Sequence, residues 1–388
     1  MPPVSVARMA GSGPGERPRG GLLVVSHPAI VDVNQEVYRE LSRRGWRVTI
    51  VVPDHWGDEY SRANLTPRAL PGLESALRPT RVAFAGRPQR HLYLTRTRRL
   101  CVAIRPDVAF LEAEPYALAA SQWARACSRS GIPFGVQCYE NIDRRLPAPV
   151  RWMRSRVLHE AAFVAARSDS AARLARAWGA TGEVALAPPA VPSWGDVPEH
   201  ATHERFTVGY AGRLIESKGL ADLLAAVRRL QAPVELLLAG GGELRAQLEG
   251  QPIPGSSVRV LAGLSHDQMA GAYAQFDVLV LPSHTTPTWK EQFGRVIIEA
   301  LRCGVPVVGS DSGEIPWLIG LTGGGLVFPE GDSEALARRL AELREAPELR
   351  RRLAKTGRAA VERLFSVPAA TDQLERLLAG AAAAAKRT

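Results

Sequence analysis

Short apolar runs recur along the chain, separated by polar turns that carry glycine or proline. In the first half they cover 21–26, 47–53, 106–111, 134–139 and 184–189; in the second, 206–211, 234–239, 258–261, 277–282 and 305–309. Runs this short, without strict alternation, predict strands buried on both faces of a parallel sheet. Helices are predicted between them: one capped by Asn34 and stopped by Gly45, then 116–130 ahead of Gly131, 157–165, 170–178 ahead of Gly179, and 220–230. Three more follow Gly331, at 333–345, 348–364 and 367–385, the last ending in an alanine run. Residues 54–80 predict loop with one weak helix. Strand, helix and strand within about 30 residues make a βαβ unit. Two such series, parted by the proline-rich polar stretch 187–205, predict two α/β domains, and 388 residues suit that number. The boundaries expected are a disordered leader over 1–20, a first domain over 21–190, a linker over 191–205, a second domain over 206–365 and a final helix over 366–388. The leader is rich in Gly, Pro and Arg and lacks the apolar centre of a secretory signal.

Open α/β sheets bind ligands outside the carboxyl ends of their strands. In the first half that places His27, Asn34, Glu112, Glu114, Tyr139, Glu140 and Asn141 along a cleft. A histidine before proline is as often a turn residue, and Glu112 and Glu114, two apart on a loop, read first as a solvated pair. In the second half Arg213 and Lys218 follow a strand and precede a helix, the arrangement that neutralises a diphosphate. The stretch Pro282–Gly320 carries the most chemistry. The N–H groups of Gly294, Arg295 and Val296 start a helix there, and helix starts attract phosphate. Glu291 stands just ahead, flanked by Trp289 and Lys290, which shape the pocket beside it. Glu299, eight residues on, is turned roughly 80° away at about 100° per residue, so only an elongated ligand touches both. A charged residue inside the apolar run 296–301 needs a partner if buried.

Glu291-x7-Glu299 followed by CGVPVVGSDSGEIP over 303–316 resembles the donor-site signature of the retaining family-4 glycosyltransferases. The resemblance implies the GT-B fold, an α/β architecture of two Rossmann-like, doubly wound domains facing each other across a cleft. It also implies roles: Glu291 near the reacting carbon of the sugar, and Glu299 on the ribose hydroxyls of the nucleotide. Gly212-Arg213 and Lys218-Gly219 match the family's G-R-x4-K-G, whose two cations grip the donor pyrophosphate. The backbone of Phe293, Gly294, Arg295 and Val296 would hold the donor, and Gly263-Leu264 stands where the family's backbone meets the base. The glycines at 240–242 match its strand-to-helix turn, and its final helix crosses back onto the first domain. The first half departs from the pattern twice. His27-Pro28-Ala29 replaces a Gly-Gly turn, and Tyr139, followed by Glu140 and Asn141, occupies the place of a histidine that faces the sugar.

The implied activity moves a sugar from a UDP-, GDP-, ADP- or dTDP-sugar to a hydroxyl of a glycan, lipid or small molecule, with retention and by a front-face mechanism. The chain holds no Asp-x-Asp, so no metal or other cofactor is expected. Two rival readings stay open: a GT-B epimerase acting on the nucleotide sugar, and a catalytically silent nucleotide-sugar-binding partner of another transferase. A glycosidase would need a marked acid and partner carboxylate, which are not evident.

Composition adds limits. With 46% apolar and 23% charged residues the chain is globular, and no run nears the ~20 apolar residues of a membrane helix. Cysteines at 101, 127, 138 and 303 lack C-x-x-C spacing and read as reduced, buried thiols of a cytoplasmic protein. The net charge of +10 rests on 45 arginines against four lysines, a bias that reads as genomic composition more than a selected face. Two clusters stand out: 81–100 with six arginines and 144–156 with five, neither containing an acid. With Leu92, Tyr93, Leu94, Trp152 and Met153 interleaved, they suit the inner face of an anionic membrane as well as they suit solvent. No nucleic-acid-binding signature is present.

Overall fold

Continuous apolar runs cannot alternate inside and outside, so each must be covered on both faces, and two parallel sheets result. In the computed structural model, residues 19–57, 64–195, 205–230, 232–249 and 251–387 are described. The first sheet contains β1 (Gly20–Ser26), β2 (Trp46–Pro53), β3 (Leu77–Thr80), β4 (Val108–Glu112), β5 (Phe134–Cys138), β6 (Phe163–Ala166) and β7 (Glu183–Leu186). Its order is β7-β6-β5-β4-β1-β2-β3. The second contains β8 (Phe206–Ala211), β9 (Val234–Ala239), β10 (Ser257–Leu261), β11 (Val278–Leu281), β12 (Val307–Ser310) and β13 (Gly325–Phe328), in the order β10-β9-β8-β11-β12-β13. The paired strands run parallel, as in the register Leu22↔Val48 and Leu22↔Val108.

Side chains alternate across each strand and feed two cores per domain. In the first domain Leu23, Val25, Ala109 and Leu111 pack against α3 (Leu118–Ser128), α4 (Ala148–Glu160) and α5 (Asp169–Ala177). Leu22, Val24, Ile50 and Phe110 face the other way, onto α1 (Glu36–Arg43) and α13 (Val367–Ala385). A further helix, α2 (Thr97–Ile104), lies beside α3. In the second domain one face holds α6 (Leu220–Arg229), a short α7 (Arg245–Glu249) and α11 (Ser333–Glu345). The other holds α8 (Met269–Tyr273), α9 (Arg295–Arg302), α10 (Ile315–Thr322) and α12 (Pro347–Phe365). Gly304, at φ 75°, stops α9 and lets Val305 donate to Ala300 O at 2.9 Å.

Strand order reverses between β1 and β4 in one sheet and between β8 and β11 in the other. Loops diverge at such switch points and leave a crevice. The loops after β1, β4, β8 and β11 therefore face the cleft between the domains.

Three expectations are corrected. Asn34 does not cap a helix: it sits in a tight 3-10 turn, Asp32–Gln35, and its Nδ2 donates to Pro28 O at 2.9 Å, so α1 begins at Glu36. The helix expected over 157–165 is instead the end of α4 and the strand β6. A four-residue run of Phe, Val and Ala, fully buried, carries no period that separates strand from helix. Among the described residues, 54–80 contain no helix but the edge strand β3, where Pro79 is tolerated because one side of the strand is unpaired. The expected leader lies outside the described residues up to 18; Arg19 pairs with Glu375, and Gly20 opens β1. The expected linker lies outside them over 196–204, whereas Val191 and Trp194 are buried in the second domain's core. Among the described residues the four cysteines are free and buried, and no helix is long and apolar enough to cross a membrane.

Candidate active site

The site is assembled from the switch-point loops. After β8, Gly212 turns the chain and Tyr210 Oη donates to Arg213 O at 2.6 Å, which sets the direction of the Arg213 loop. Gly240 and Gly242 press on this loop: a Cβ on Gly240 would lie 1.9 Å from Gly212 O. Lys218, in the 3-10 turn ahead of α6, is buried, and its Nζ lies 2.6 Å from Glu291 Oε2. The ammonium also sits 4.5 Å from the centroid of the Trp289 ring. Ser283 Oγ donates to the same Glu291 oxygen at 2.8 Å.

The main chain of Glu291 is held as firmly. Its carbonyl accepts from Glu314 N–H at 3.0 Å and from Asn141 Nδ2 at 2.8 Å, the second donor coming from the first domain. Gly313 allows the approach, since a Cβ there would meet Glu291 O at 2.1 Å. Asn141 therefore bridges the domains at the site, and its Oδ1 is buried without a partner among the described residues.

Three residues past Glu291, Gly294 adopts φ 78° as the N-cap of α9, and no side chain caps the helix. The first N–H groups of a helix have no intrahelical acceptor, so this end offers donors and a positive dipole to an anion. Phe293 turns its ring into the core against Trp317 and Phe365, so it offers a ligand only its backbone. Glu299 is buried; it accepts from Tyr273 Oη at 2.7 Å and lies 3.7 Å from Arg295 Nε. Val296 and Leu264 are half-buried against the core, and Gly263 turns at φ 70° between β10 and α8.

Facing these groups is a cleft of about 880 Å³. Its first-domain wall includes His27, Glu114, Tyr139, Glu140 and Arg144; its second-domain wall includes Arg213, Trp289 and Gln292. A smaller cavity of about 270 Å³, lined by Asn34, Glu112, Arg167 and Arg295 among others, shares Pro28, Gln137 and Tyr139 with the cleft. Tyr139 thus stands between the two. Lys290 is half-buried beside Trp289 and is not among the residues lining either cavity.

The carboxylates of the first domain are not a solvated pair. Glu112 accepts from Ser26 and Tyr38 through one oxygen and from Arg167 through the other. Glu114 accepts from Tyr139 N–H at 2.6 Å while its Oε2 is buried without a partner among the described residues. Burial, with Glu140 nearby, pushes its carboxyl up to about 8. Glu140 accepts from Tyr116 Oη and from Arg144 Nε, both at 2.9 Å. His27 lies 4.9 Å from the Trp56 ring and 5.5 Å from that of His91. Burial, followed by the second imidazole, pushes it down to about 3, so it is neutral, and its Nδ1 has no partner among the described residues.

Lys218, Trp289 and Glu291 are thus in contact, Arg213 lines the cleft beside them, and Glu299 is linked to the smaller cavity through Arg295. Sequence reasoning missed Ser283, Tyr273, Tyr116, Arg144 and Gln292. Ser283 stands two residues past β11, and a serine at a strand end carries no mark of its own. Tyr273 reaches Glu299 from another helix, which no local pattern announces. Among the described residues no group of three or more His, Cys, Asp or Glu side chains is placed to hold a metal ion.

Residues 196–360 match the family Glycosyl transferases group 1, and residues 30–190 match the Glycosyl transferase 4-like domain. The lipopolysaccharide core biosynthesis glycosyltransferase LpsE of Rhizobium meliloti is 36% identical over 169 residues, 43% of this chain and 48% of its own length. The chain spans about half the length of the curated relatives it matches. Sucrose-phosphate synthase from Thermosynechococcus elongatus superposes with a TM-score of 0.68 at 19% identity, over 94% of this chain and 99% of that one. Anabaena HepE in complex with UDP-glucose superposes with a TM-score of 0.65 at 18% identity, over 93% of this chain and 100% of that one. The two-domain α/β fold is therefore GT-B, and the chain belongs to the group 1, family-4-like glycosyltransferases.

Proposed function

We propose that this chain transfers a sugar from a nucleotide diphosphate sugar to an acceptor hydroxyl, with retention and without a metal. The observation that carries the reading is the Lys218–Glu291 pair, 2.6 Å apart and ahead of the uncapped start of α9, packed against Trp289, which lines the cleft together with Arg213. The leaving group is a diphosphate, so stabilising its developing charge is the main task. Arg213, Lys218 and the first N–H groups of α9 supply positive potential for it. The acceptor oxygen attacks the anomeric carbon on the face the phosphate leaves, the carbon–phosphate oxygen bond breaks, and the departing phosphate oxygen takes the hydroxyl proton. Glu291, fixed by Ser283 and its main-chain donors, orients the sugar; Glu299 holds the ribose. That Anabaena HepE is described in complex with UDP-glucose supports a nucleotide-sugar donor for this chain too.

The acceptor is a glycan, a lipid-linked precursor or a small molecule, and the first domain rests on an anionic bilayer. Supporting this, Phe84, Leu94, Val102 and Trp152 are 59, 60, 55 and 60% exposed in segments rich in arginine. One assay tests the reading: UDP-, GDP-, ADP- and dTDP-sugars are supplied with and without polyol acceptors and phosphatidylglycerol vesicles. Nucleotide released only with acceptor, and co-sedimentation with the vesicles, are expected. An isomerised sugar would make the chain an epimerase, binding without turnover a silent module, and no vesicle binding would remove the membrane contact.

A further inference from the structure

The first-domain wall of the cleft carries positive charge apart from Arg213 and Lys218. Arg87 and Arg90 both line it, and neither is ion-paired among the described residues. They belong to a built turn. Arg90 N–H and His91 N–H both donate to Arg87 O at 3.0 Å, and His91 Nδ1 lies 3.0 Å from Pro88 O. Leu118 N–H donates to Gln89 O at 3.0 Å, tying the turn to the start of α3. Gly86, at φ 81°, presses against Gly57, where a Cβ would lie 2.8 Å from Gly57 O. Nothing acidic on the wall cancels the two charges: Glu140 is bound to Arg144 and Tyr116, and Glu114 is buried behind Tyr139 N–H. A second observation points to a ligand in the same place. His27 and Glu114 line the cleft, and His27 Nδ1 and Glu114 Oε2 are buried without partners among the described residues. Orphaned buried polar atoms are costly unless a bound group satisfies them.

We propose that Arg87 and Arg90 form an anion subsite that recognises a phosphate group on the acceptor, with His27 and Glu114 beside it to receive acceptor hydroxyls. This rests on the transferase reading and names its acceptor class. Arginine suits the role because its planar donors match phosphate oxygens two at a time. The phosphate belongs either to a soluble sugar phosphate or to a lipid diphosphate, and the test separates them.

Binding is measured by calorimetry with UDP saturating, so that the donor's own phosphate site is filled. The probes are glucose 6-phosphate against glucose, and farnesyl diphosphate against farnesol. The phosphorylated member of at least one pair should bind tenfold or more tightly, and that pair identifies the source. Arg87→Gln with Arg90→Gln should abolish the advantage while the Kd for UDP changes less than twofold; both side chains are exposed, so the fold should stand. No advantage in either pair, or an advantage that survives the double substitution, overturns the subsite. A double variant that loses UDP affinity by the same factor assigns the arginines to the donor, overturning the subsite and leaving the transferase standing. A wild-type chain that binds no nucleotide diphosphate removes the transferase reading, and the subsite with it.

Discussion

In the proposed transfer the chemistry turns on Glu291, and its surroundings explain why a carboxylate is tolerated there. Lys218, 73 residues earlier, meets it at 2.6 Å, and the two side chains are only 10 and 12% exposed. Such a pair roughly balances its own desolvation, but removing one partner strands the other. Glu291→Gln should therefore lower stability by about 3 kcal/mol, read as a fall in Tm. Added UDP should recover part of that loss, because its phosphates can re-pair the ammonium. Turnover should fall by about 10²–10³, with the Kd for UDP within about threefold. A variant that keeps full turnover, or one that cannot bind UDP, would contradict the assignment. At this scale Arg213, Lys218, Glu291 and Glu299 were legible because charge type and spacing mark them locally. Ser283 and Tyr273 were not, because an ordinary hydroxyl gains meaning only from the carboxylate it meets.

Among the elements, the start of α10 acts on the site from behind. Its first residues bring Gly313 and Glu314 N–H onto the carbonyl of Glu291, and a Cβ at Gly313 would overlap that carbonyl at 2.1 Å. Gly313→Ala should displace Glu291 and reduce kcat at least tenfold, since misplacement of about 1 Å can cost 10²-fold. Gly255→Ala is the control: it has a similar φ of 72° but nothing within 4 Å, so it carries the backbone strain without the displacement. Equal kcat losses in the two variants would show that strain, not displacement of Glu291, is responsible. Element types were mostly readable from the short apolar runs and the glycine stops. β6 was not, because four buried apolar residues have no usable period. β3 was not, because Pro79 and flanking polar residues hide an edge strand.

For the molecule as a whole, two crossings join the domains side by side. Val191 N–H donates to Phe365 O at 2.7 Å where the chain enters the second domain and leaves it. Past Ser366, α13 returns to the first domain, burying Leu374, Leu377 and Leu378 beside α1 and against the β4–β5 side of the sheet. Glu375 fixes the return: it accepts from Arg44 at 2.9 Å, from Trp46 Nε1 at 3.0 Å and from Arg19 at 2.6 Å. These partners hold its carboxyl below the usual range against the opposing effect of burial. Glu375→Ala should cost about 2 kcal/mol, discounted because Arg19 is half exposed, and should lower Tm by several degrees. UDP binding, placed by the proposal in the other domain, should survive. An unchanged Tm, or lost UDP affinity, would place the role of α13 elsewhere.

By itself the sequence determined the fold class and marked the residues proposed to handle a diphosphate sugar. Apolar runs, glycine stops and charged residues at strand ends act over a few neighbouring positions, and such patterns survive in a linear reading. The tertiary structure alone decided which side chains satisfy one another. Asn141 on Glu291's carbonyl, Tyr273 on Glu299, and Arg87 and Arg90 on the wall opposite Arg213 are meetings of segments far apart in the chain. Their geometry follows from how the two sheets carry separate loops and helices to one place, which leaves no mark at any single position.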